Sequence, residues 1–297
     1  MDLNQVHAAK LQPSDLTTHQ APQDVISAPL TSVNGINNTF LRRWTLLIAL
    51  ETLGRLRPHT GSVLFLTRNL CVKFGPFVPL WEASALRFVG ERTSIPVPKV
   101  HCAFVHKGST YILMDRIGGE MLCHGWMARS AESKGKVLGR LKEMVDELRS
   151  LPPPGQGISN VDGGPLFDCR FPGTSLSVGP FSTVHDFHLF LRNGLQAHPN
   201  HLPEVSRMIA LQDRPWPMPV FTHGDLSSLN ILVCGDEVVG IIDWETSGWY
   251  PSYWEYSMAF YVNPRNVFWR DEVGKFLEAT QEEMEMEQIR LRYFGDI

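Results

Sequence analysis

Three polar side chains in the last third of the chain have the types and spacing that a site for magnesium and phosphates requires. Asp225 and Asn230 stand in a polar loop within the segment FTHGDLSSLNILV, which ends in three apolar residues. Asp243 follows at the end of the apolar run VGII. Mg²⁺ takes hard oxygen ligands, usually one or two from the protein and the rest from phosphates and water. An acid and an amide on a loop, with a second acid at a strand end, therefore indicate a nucleotide-bound Mg²⁺.

Each of these residues also has an ordinary structural interpretation. An isolated aspartate is more often a turn or helix-capping residue than a catalytic one. Asp225 is interpreted as functional because Asn230 and Asp243 accompany it at these spacings. Lys73 stands between two apolar residues of a predicted strand, where a lone lysine would usually face solvent. Glu82 follows at a distance that suits pairing with this lysine, so we expect both residues to belong to the same site.

Taken in order, these motifs resemble those of the aminoglycoside phosphotransferase and choline kinase group, which has a protein-kinase-like fold. The resemblance covers about residues 60–260 and is closest to the fungal branch of phosphotransferase-domain proteins. The order of the motifs makes the resemblance more specific than any single motif. The matching segments are the catalytic-loop pattern H-G-D-x-x-x-x-N at 223–230, the metal motif I-I-D-W at 241–244, the lysine strand at 72–75, the hinge at 111–115 and, for the fungal branch, 157–168 and 179–181.

The resemblance implies a role for each polar residue of the catalytic and metal loops. Asp225 would accept, or at least orient, the proton of a substrate hydroxyl. His223 would support the loop by hydrogen bonding rather than act as a base. Asn230 and Asp243 would hold Mg²⁺, which bridges phosphate oxygens. The implied reaction moves the γ-phosphoryl group of ATP, or of another nucleoside triphosphate, to the hydroxyl of a small molecule.

The resemblance also implies where the nucleotide would be held. Lys73 would contact the α- and β-phosphates, and Glu82 would hold Lys73 in place as an ion pair. Backbone groups around Met114, Asp115 and Ile117 would meet the adenine. One expected feature is missing, because no G-x-G-x-x-G loop precedes the lysine, where the only glycines are at positions 35, 54 and 61. The phosphate loop therefore stays unassigned.

The missing phosphate loop supports a second hypothesis, a pseudokinase that binds a nucleotide or acts as a scaffold without turnover. The intact Asp225, Asn230 and Asp243 oppose it. A protein kinase fits poorly, because the loop reads H-G-D rather than H-R-D, the metal motif reads I-D-W rather than D-F-G, and no A-P-E follows. Aminoglycosides, amino alcohols and sugars all stay open as substrates, as do ATP versus GTP and the oligomeric state.

Three further groups of side chains admit both a functional and a structural interpretation. The aromatic residues between 244 and 256 could stack on a substrate, but core packing behind the metal loop is favoured. The acidic run 282–287 could attract a cationic substrate, but a solvated helix face is favoured. Four histidines have no carboxylate or cysteine at ligand spacing, so we expect them on the surface or in loops. They are His185, His188, His198 and His201.

Local patterns indicate the elements that must position these residues. β-Branched and aromatic runs predict one strand pair over 62–74 and a second over 101–114, each around a short polar turn. An apolar strand is predicted at 238–243. Residues 155–182 are rich in Gly, Pro and Ser and predict a long ordered loop. Helical spacing predicts helices at 41–56, 80–91, 133–151, from 184 to 193, and a charged helix at 271–292.

These elements predict an α+β chain with two lobes, a small antiparallel β lobe and a larger, mainly helical lobe. Residues 1–35 are expected to form a flexible tail, and residues 36–116 the N-terminal lobe. Residues 117–297 would form the C-terminal lobe with the catalytic and metal-binding loops. A hinge is expected near residues 115–119, and the nucleotide would lie between the lobes.

Composition argues against several other classes of protein. The 297 residues carry a net charge of −4, without the basic excess of a nucleic-acid-binding protein. Five scattered cysteines without a C-x-x-C pair argue against a disulfide framework or a zinc site. No segment reaches the ~18 apolar residues of a membrane-spanning helix, and the first residues lack the apolar core of a secretion signal. We therefore expect a cytoplasmic protein that binds a small hydroxylated molecule, without nucleic-acid or membrane partners.

Overall fold

The computed structural model describes residues 35–54, 56–261 and 264–295. The predicted tail, residues 1–35, lies outside the described residues except for Gly35. The described chain is α+β with two lobes, as predicted: an antiparallel sheet with two helices comes first, and a mainly helical part follows. No helix in these three segments is both long enough and apolar enough to cross a membrane.

The described elements alternate between short strands and helices of up to five turns. The helices are α1 (Phe40–Leu53), α2 (Trp81–Arg92), α3 (Ala131–Arg149), α4 (Val184–Leu191), α5 (Pro203–Gln212), α6 (Trp254–Tyr261), α7 (Arg270–Val273) and α8 (Gln281–Phe294), with 3₁₀ turns at Trp126–Ala128, Trp244–Thr246 and Pro264–Trp269. The strands are β1 (His59–Thr60), β2 (Val63–Phe65), β3 (Leu70–Gly75), β4 (Val100–His106), β5 (Ser109–Asp115), β6 (Glu120–Met121), β7 (Leu166–Phe167), β8 (Ser177–Val178), β9 (Val220–Thr222), β10 (Ile231–Cys234), β11 (Glu237–Ile241) and β12 (Gly248–Tyr250).

The N-terminal sheet places Lys73 at its centre. The strand order is β1-β2-β3-β5-β4, and every pair is antiparallel. Lys73 in β3 lies opposite Val63 on one side and Ile112 on the other. Because side chains alternate between the faces of a strand, the neighbouring Val72 packs with Leu46 of α1, whereas Lys73 points to the face that α2 covers.

The helical lobe is built around two apolar clusters. Helix α3 contributes a buried stripe of residues at helical spacing, which includes Val137, Leu141 and Leu148. Ser130 begins this helix by accepting a hydrogen bond from the N–H of Ser133. The second cluster lies among α4, α5, α6 and α8. The small pairs β9–β12 and β10–β11 flank the two loops that carry the predicted site.

Most local predictions are confirmed, including both strand pairs of the N-terminal sheet and helices α1 to α4. The aromatic residues near the metal motif are core residues, as favoured: Trp244, Tyr250, Tyr253 and Trp254 are at most 1% exposed. The predicted strand at 238–243 ends earlier, at Ile241. The predicted loop at 155–182 is long and ordered, with only the short pair β7–β8 inside it.

The prediction of a single charged helix at 271–292 is wrong, because two helices occupy this segment. The chain forms α7, leaves the helix at Gly274 and begins α8 only after Thr280. Thr280 and Glu283 form a reciprocal cap, in which each side chain accepts the backbone N–H of the other residue. Such a capping box is a strong helix start signal and explains where the second helix begins.

Two predictions about surface residues also need correction. The acidic run is only partly a solvated face, because Glu287 is fully buried and pairs with the equally buried Arg290. His188 is not a surface residue: it is fully buried in α4. Its ring nitrogens bond the hydroxyl of Tyr253, at 2.9 Å, and the carbonyl oxygen of Gln212, at 3.1 Å. Packing of α4 against α5 and α6 creates this environment.

Candidate active site

The catalytic-loop motif lies between β9 and β10, and its backbone is fixed by a close contact at Gly224 and by hydrogen bonds to Glu255. Gly224 has φ +83°, a region that favours glycine, and a Cβ there would lie 2.7 Å from the carbonyl oxygen of Thr246. The buried carboxylate of Glu255 accepts the N–H of His223 at 2.6 Å and that of Gly224 at 3.1 Å. Glu255 was not singled out in the sequence, where it stands unmarked among aromatic residues of α6.

His223 has both ring nitrogens engaged within the chain. Its Nε2 lies 3.0 Å from the carbonyl oxygen of Ile242, and its Nδ1 accepts the N–H of Asp225 at 3.1 Å. A neutral imidazole with the proton on Nε2 satisfies both bonds. Burial lowers the pKa of His223 to about 4, although the bond to Ile242 acts in the opposite direction. The ring therefore links the catalytic loop to the metal loop and has no nitrogen left to act as a base.

Asp225 and Asn230 lie together, as their spacing suggested. The amide nitrogen of Asn230 donates at 2.8 Å to both the backbone oxygen and the Oδ2 atom of Asp225. This leaves the amide oxygen of Asn230 as the atom able to bind a cation. Burial raises the pKa of Asp225 to about 6, and the nearby Arg170 guanidinium opposes that rise. The side chain of Asp225 is 32% exposed.

Lys73 is surrounded by three carboxylates. Its Nζ lies 2.8 Å from Glu82 in α2 and 2.9 Å from Glu245, and it also contacts Asp243. Burial acts to lower the pKa of Lys73, but the three carboxylates outweigh it and raise that pKa. The lysine is only 6% exposed, so it is a buried positive charge held by these three acids.

The metal loop turns sharply just after β11. Asp243 has φ +68°, and this left-handed conformation directs its side chain back toward Lys73. The 3₁₀ turn that follows carries Glu245 to the same point. Sequence reasoning missed Glu245, although an acid two positions after Asp243 in a tight turn could have been noticed. Its side chain is 29% exposed and that of Asp243 is 40% exposed.

The oxygen donors of this region fit Mg²⁺. Carboxylate oxygens of Glu82, Asp243 and Glu245 lie within 4.8 Å of one another. The backbone oxygen of Asn230 accepts the N–H of Ile242 at 2.9 Å. This bond joins the start of β10 to the end of β11 and so keeps the two predicted ligand residues, Asn230 and Asp243, close together. A set of hard oxygen donors with no cysteine or histidine among them matches the preference of this ion.

The predicted hinge residues Met114, Asp115 and Ile117 all make contacts within the chain. Met114 is buried in the core at 7% exposure, and Ile117 packs against Gly240 of β11. Asp115 is engaged within the chain: its N–H bonds the Lys99 carbonyl oxygen at 3.0 Å, and its carboxylate bonds a histidine of β4. Which of these three residues would meet a nucleotide base therefore stays a prediction.

The β1–β2 hairpin stands where a phosphate loop would be expected. Gly61, with φ +55°, forms its turn, and nothing lies within 4 Å of the position of a Cβ there. Val63, two residues later, is the cross-strand neighbour of Lys73. This single-glycine turn is the segment next to the lysine strand, and it lacks the glycine-rich pattern of a protein kinase.

Comparisons with known structures show the fold. A gentamicin–APH(2")-IIa complex aligns with a TM-score of 0.52 at 13% identity, over 86% of this chain and 87% of that one. Aminoglycoside phosphotransferase APH(4)-Ia gives 0.51 at 14% identity, over 85% and 82%. ADP-bound APH(2'')-Ib gives 0.50 at 15% identity, over 82% and 86%. At such identities the likeness establishes the two-lobed kinase-like fold alone.

Sequence comparison adds the family. An aminoglycoside 3'-phosphotransferase of Niallia circulans is 24% identical over 167 residues, which are 56% of this chain and 58% of that protein. The match thus spans well under two thirds of that relative's length. A family model for phosphotransferase enzymes matches residues 79–287, more than half of the chain and the part that holds the catalytic and metal loops. The chain therefore belongs to the phosphotransferase enzyme family.

Proposed function

We propose that the protein transfers the γ-phosphoryl group of ATP, or of another nucleoside triphosphate, to a hydroxyl group of a small molecule with the help of Mg²⁺. The observation that carries this proposal is the meeting of Lys73 with Glu82, Asp243 and Glu245 at one point. A buried lysine that faces one buried and two partly exposed acids supports a metal–phosphate site, because phosphoryl transfer uses a lysine and metal-binding oxygens on the phosphates.

Each residue of the site would have its own role in such a transfer. Lys73 would bind phosphate oxygens, and Glu82 would keep its ammonium in place. Asn230 and Asp243 would hold Mg²⁺, with Glu245 as a further oxygen donor; the bound ion would neutralise charge on the phosphates. Asp225 would accept or orient the proton of the attacking hydroxyl, since its carboxylate is accessible and held by Asn230. His223 would keep the two loops together.

A hydroxylated small molecule is the acceptor class that we propose. The catalytic loop reads H-G-D, and related structures include a complex with the aminoglycoside gentamicin. Amino sugars, amino alcohols and neutral sugars are all hydroxylated compounds that would suit Asp225 as a base. A panel of these three classes is the appropriate first screen.

A second candidate is a pseudokinase that binds a nucleotide without turnover. The observation that favours it is the β1–β2 turn, in which Gly61 is the only glycine. In kinases a glycine-rich loop covers the phosphates and positions them for transfer. A turn without that composition could leave the γ-phosphate poorly held.

Thermal unfolding with and without Mg²⁺ and ATP tests the proposal. A ligand at a hundred times its dissociation constant stabilises a fold by about 2.7 kcal/mol, which raises Tm by several degrees. We expect this rise for the wild type only when Mg²⁺ is present, and none for Asp243→Ala. Asp236→Ala is the matched control, because the Asp236 side chain is also 40% exposed and paired with a cation, Arg129, away from the site.

The outcomes separate the two candidates. Release of ADP that depends on one member of the acceptor panel would establish phosphoryl transfer. A Tm rise without turnover on any acceptor would favour the pseudokinase. No rise in the wild type at millimolar nucleotide would overturn the proposed transfer and would favour a pseudokinase that acts as a scaffold.

A further inference from the structure

A buried arginine lies directly behind the catalytic loop and comes from a distant part of the chain. Arg170 belongs to the long loop 155–182 and is 8% exposed. Its Nη2 atom donates to the backbone oxygen of Gly224 at 2.5 Å, across 54 positions of sequence. Its Nη1 atom lies 3.9 Å from Oδ1 of Asp225 and has no hydrogen-bond partner within the described part of the chain.

Asp168 holds this guanidinium in a fixed orientation. Its Oδ1 accepts from Nε of Arg170 and its Oδ2 from Nη2, both at 2.5 Å, and Oδ1 also accepts the Arg170 N–H at 2.9 Å. Asp168 is 1% exposed, so the pair is shielded from water. A two-point contact of this kind uses the planar fork of arginine, which a lysine ammonium cannot reproduce.

The bond to Gly224 acts on the peptide unit that leads into Asp225. The Gly224 carbonyl belongs to the peptide group whose nitrogen is that of Asp225, so a bond to this oxygen restrains the direction in which the aspartate leaves the backbone. On the other side of the loop, Glu255 holds the N–H groups of His223 and Gly224. The backbone before Asp225 is thus clamped from both sides.

The loop that carries Arg170 is itself tied to the N-terminal lobe. Phe167 packs edge-on against Trp81 of α2, with ring centroids 6.5 Å apart. Since α2 carries Glu82, one loop contacts both the helix that holds the phosphate lysine and the backbone that holds the catalytic acid.

We propose that Arg170, oriented by Asp168, is a positioning residue that fixes the Gly224–Asp225 peptide and so aims the Asp225 carboxylate for phosphoryl transfer. This inference rests on the proposed function, in which Asp225 receives the substrate proton.

Arg170→Met and Arg170→Lys test the proposal, with Arg192→Met as the matched control. Arg192 is also a buried arginine paired with an aspartate, Asp213, but it directly follows α4, away from the catalytic loop. Three quantities are measured for each protein: Tm, the dissociation constant of Mg·ATP, and amide hydrogen exchange over residues 222–230. The single-turnover rate of phosphoryl transfer is measured on an acceptor from the panel or, with none found, on water.

In both Arg170 variants we expect exchange over 222–230 to rise about tenfold. The transfer rate should fall about a hundredfold, as expected for a misplaced reacting group. The dissociation constant of Mg·ATP should not change, because Arg170 does not contact the Lys73 cluster. Arg192→Met should lower Tm without changing either the exchange over 222–230 or the transfer rate.

Two further outcomes complete the test. Unchanged exchange over 222–230 in Arg170→Met, or an unchanged transfer rate in a variant that binds Mg·ATP, would overturn the proposal. Should Arg170→Met fail to fold because Asp168 is left buried and unpaired, the neutral double variant Asp168→Asn/Arg170→Met replaces it, with the same expected losses. Failure of the proposed function is separable, since the wild type itself would then transfer no phosphoryl group, whether or not it binds Mg·ATP.

Discussion

The ammonium group of Lys73 lies 2.9 Å from the carboxylate of Glu245, a residue of the 3₁₀ turn that follows the metal motif. Together with Glu82 and Asp243, this gives one lysine three acidic partners. The cluster therefore has an excess of negative charge, which opposes the approach of free phosphates and favours a cation. The charge of Glu245 therefore affects both the repulsion of free phosphates and the attraction of a cation.

Glu245→Gln should strengthen the binding of ATP in the absence of metal. Removal of one negative charge beside the proposed phosphate site reduces the repulsion of ATP, and we expect an affinity gain of about tenfold, which corresponds to about 1.4 kcal/mol. With millimolar Mg²⁺ the gain should disappear, because the variant also loses a negative charge and one of the two oxygens that could bind the ion. Isothermal titration with ATP in EDTA and then in Mg²⁺ measures both effects.

Glu237→Gln is the control for this change, because Glu237 is an exposed glutamate at the start of β11. It should leave both affinities unchanged. Equal ATP affinity of Glu245→Gln and the wild type in EDTA would show that Glu245 does not act on the phosphates.

Gly224→Ala should destabilise the fold and damage the catalytic loop. The residue has φ +83°, and a Cβ would meet the Thr246 oxygen at 2.7 Å. We expect a loss of about 1–3 kcal/mol in the free energy of unfolding, measured with urea. Gly235→Ala is the control, since φ is +61° there but nothing lies within 4 Å. It should show only the smaller cost of the backbone conformation, so equal losses at the two glycines would contradict the predicted clash.

Local signals explain why so much of the fold could be predicted. The turn at Lys107 and Gly108 separates two runs of β-forming residues, and the observed pair β4–β5 follows that pattern. Asp225, Asn230 and Asp243 could be placed together because they lie on two neighbouring loops of a known motif order. Each of these predictions depends on residues that are close in sequence.

The residues that sequence reasoning missed depend on distant partners. Arg170 meets Gly224 across 54 positions, and Glu255 meets the same residue across 31. A buried charge is invisible in sequence until its partner is known, since Asp, Glu and Arg are exposed in most contexts. His188 was predicted on the surface or in a loop for the same reason, because its partners Gln212 and Tyr253 are distant in sequence.

Glu255→Ala should destabilise the protein strongly. The substitution leaves the N–H groups of His223 and Gly224 buried without an acceptor, and each such group costs about 1–3 kcal/mol. We expect the free energy of unfolding, measured with urea, to fall by about 2–4 kcal/mol.

Glu147→Ala is the control. Glu147 also accepts a backbone N–H, that of Ser94 at 2.6 Å, but at an exposed site. It should cost less than about 1 kcal/mol, and a similar loss in both variants would contradict the buried anchor.

His188 should make the fold sensitive to acid. Burial lowers its pKa from 6.5 to about 3, although the bond to the Gln212 oxygen acts the other way. Below about pH 6.5 the unfolded chain therefore takes up a proton that the folded chain refuses, so the free energy of unfolding falls as pH decreases from 6.5 toward 3. One such group contributes at most about 1.4 kcal/mol per pH unit to the slope of the free energy of unfolding.

His188→Gln should reduce that slope in urea unfolding between about pH 7 and pH 5. His59→Gln, at an exposed position of β1, should preserve it. Equal slopes in His188→Gln and the wild type would show that His188 does not stay neutral in the folded protein.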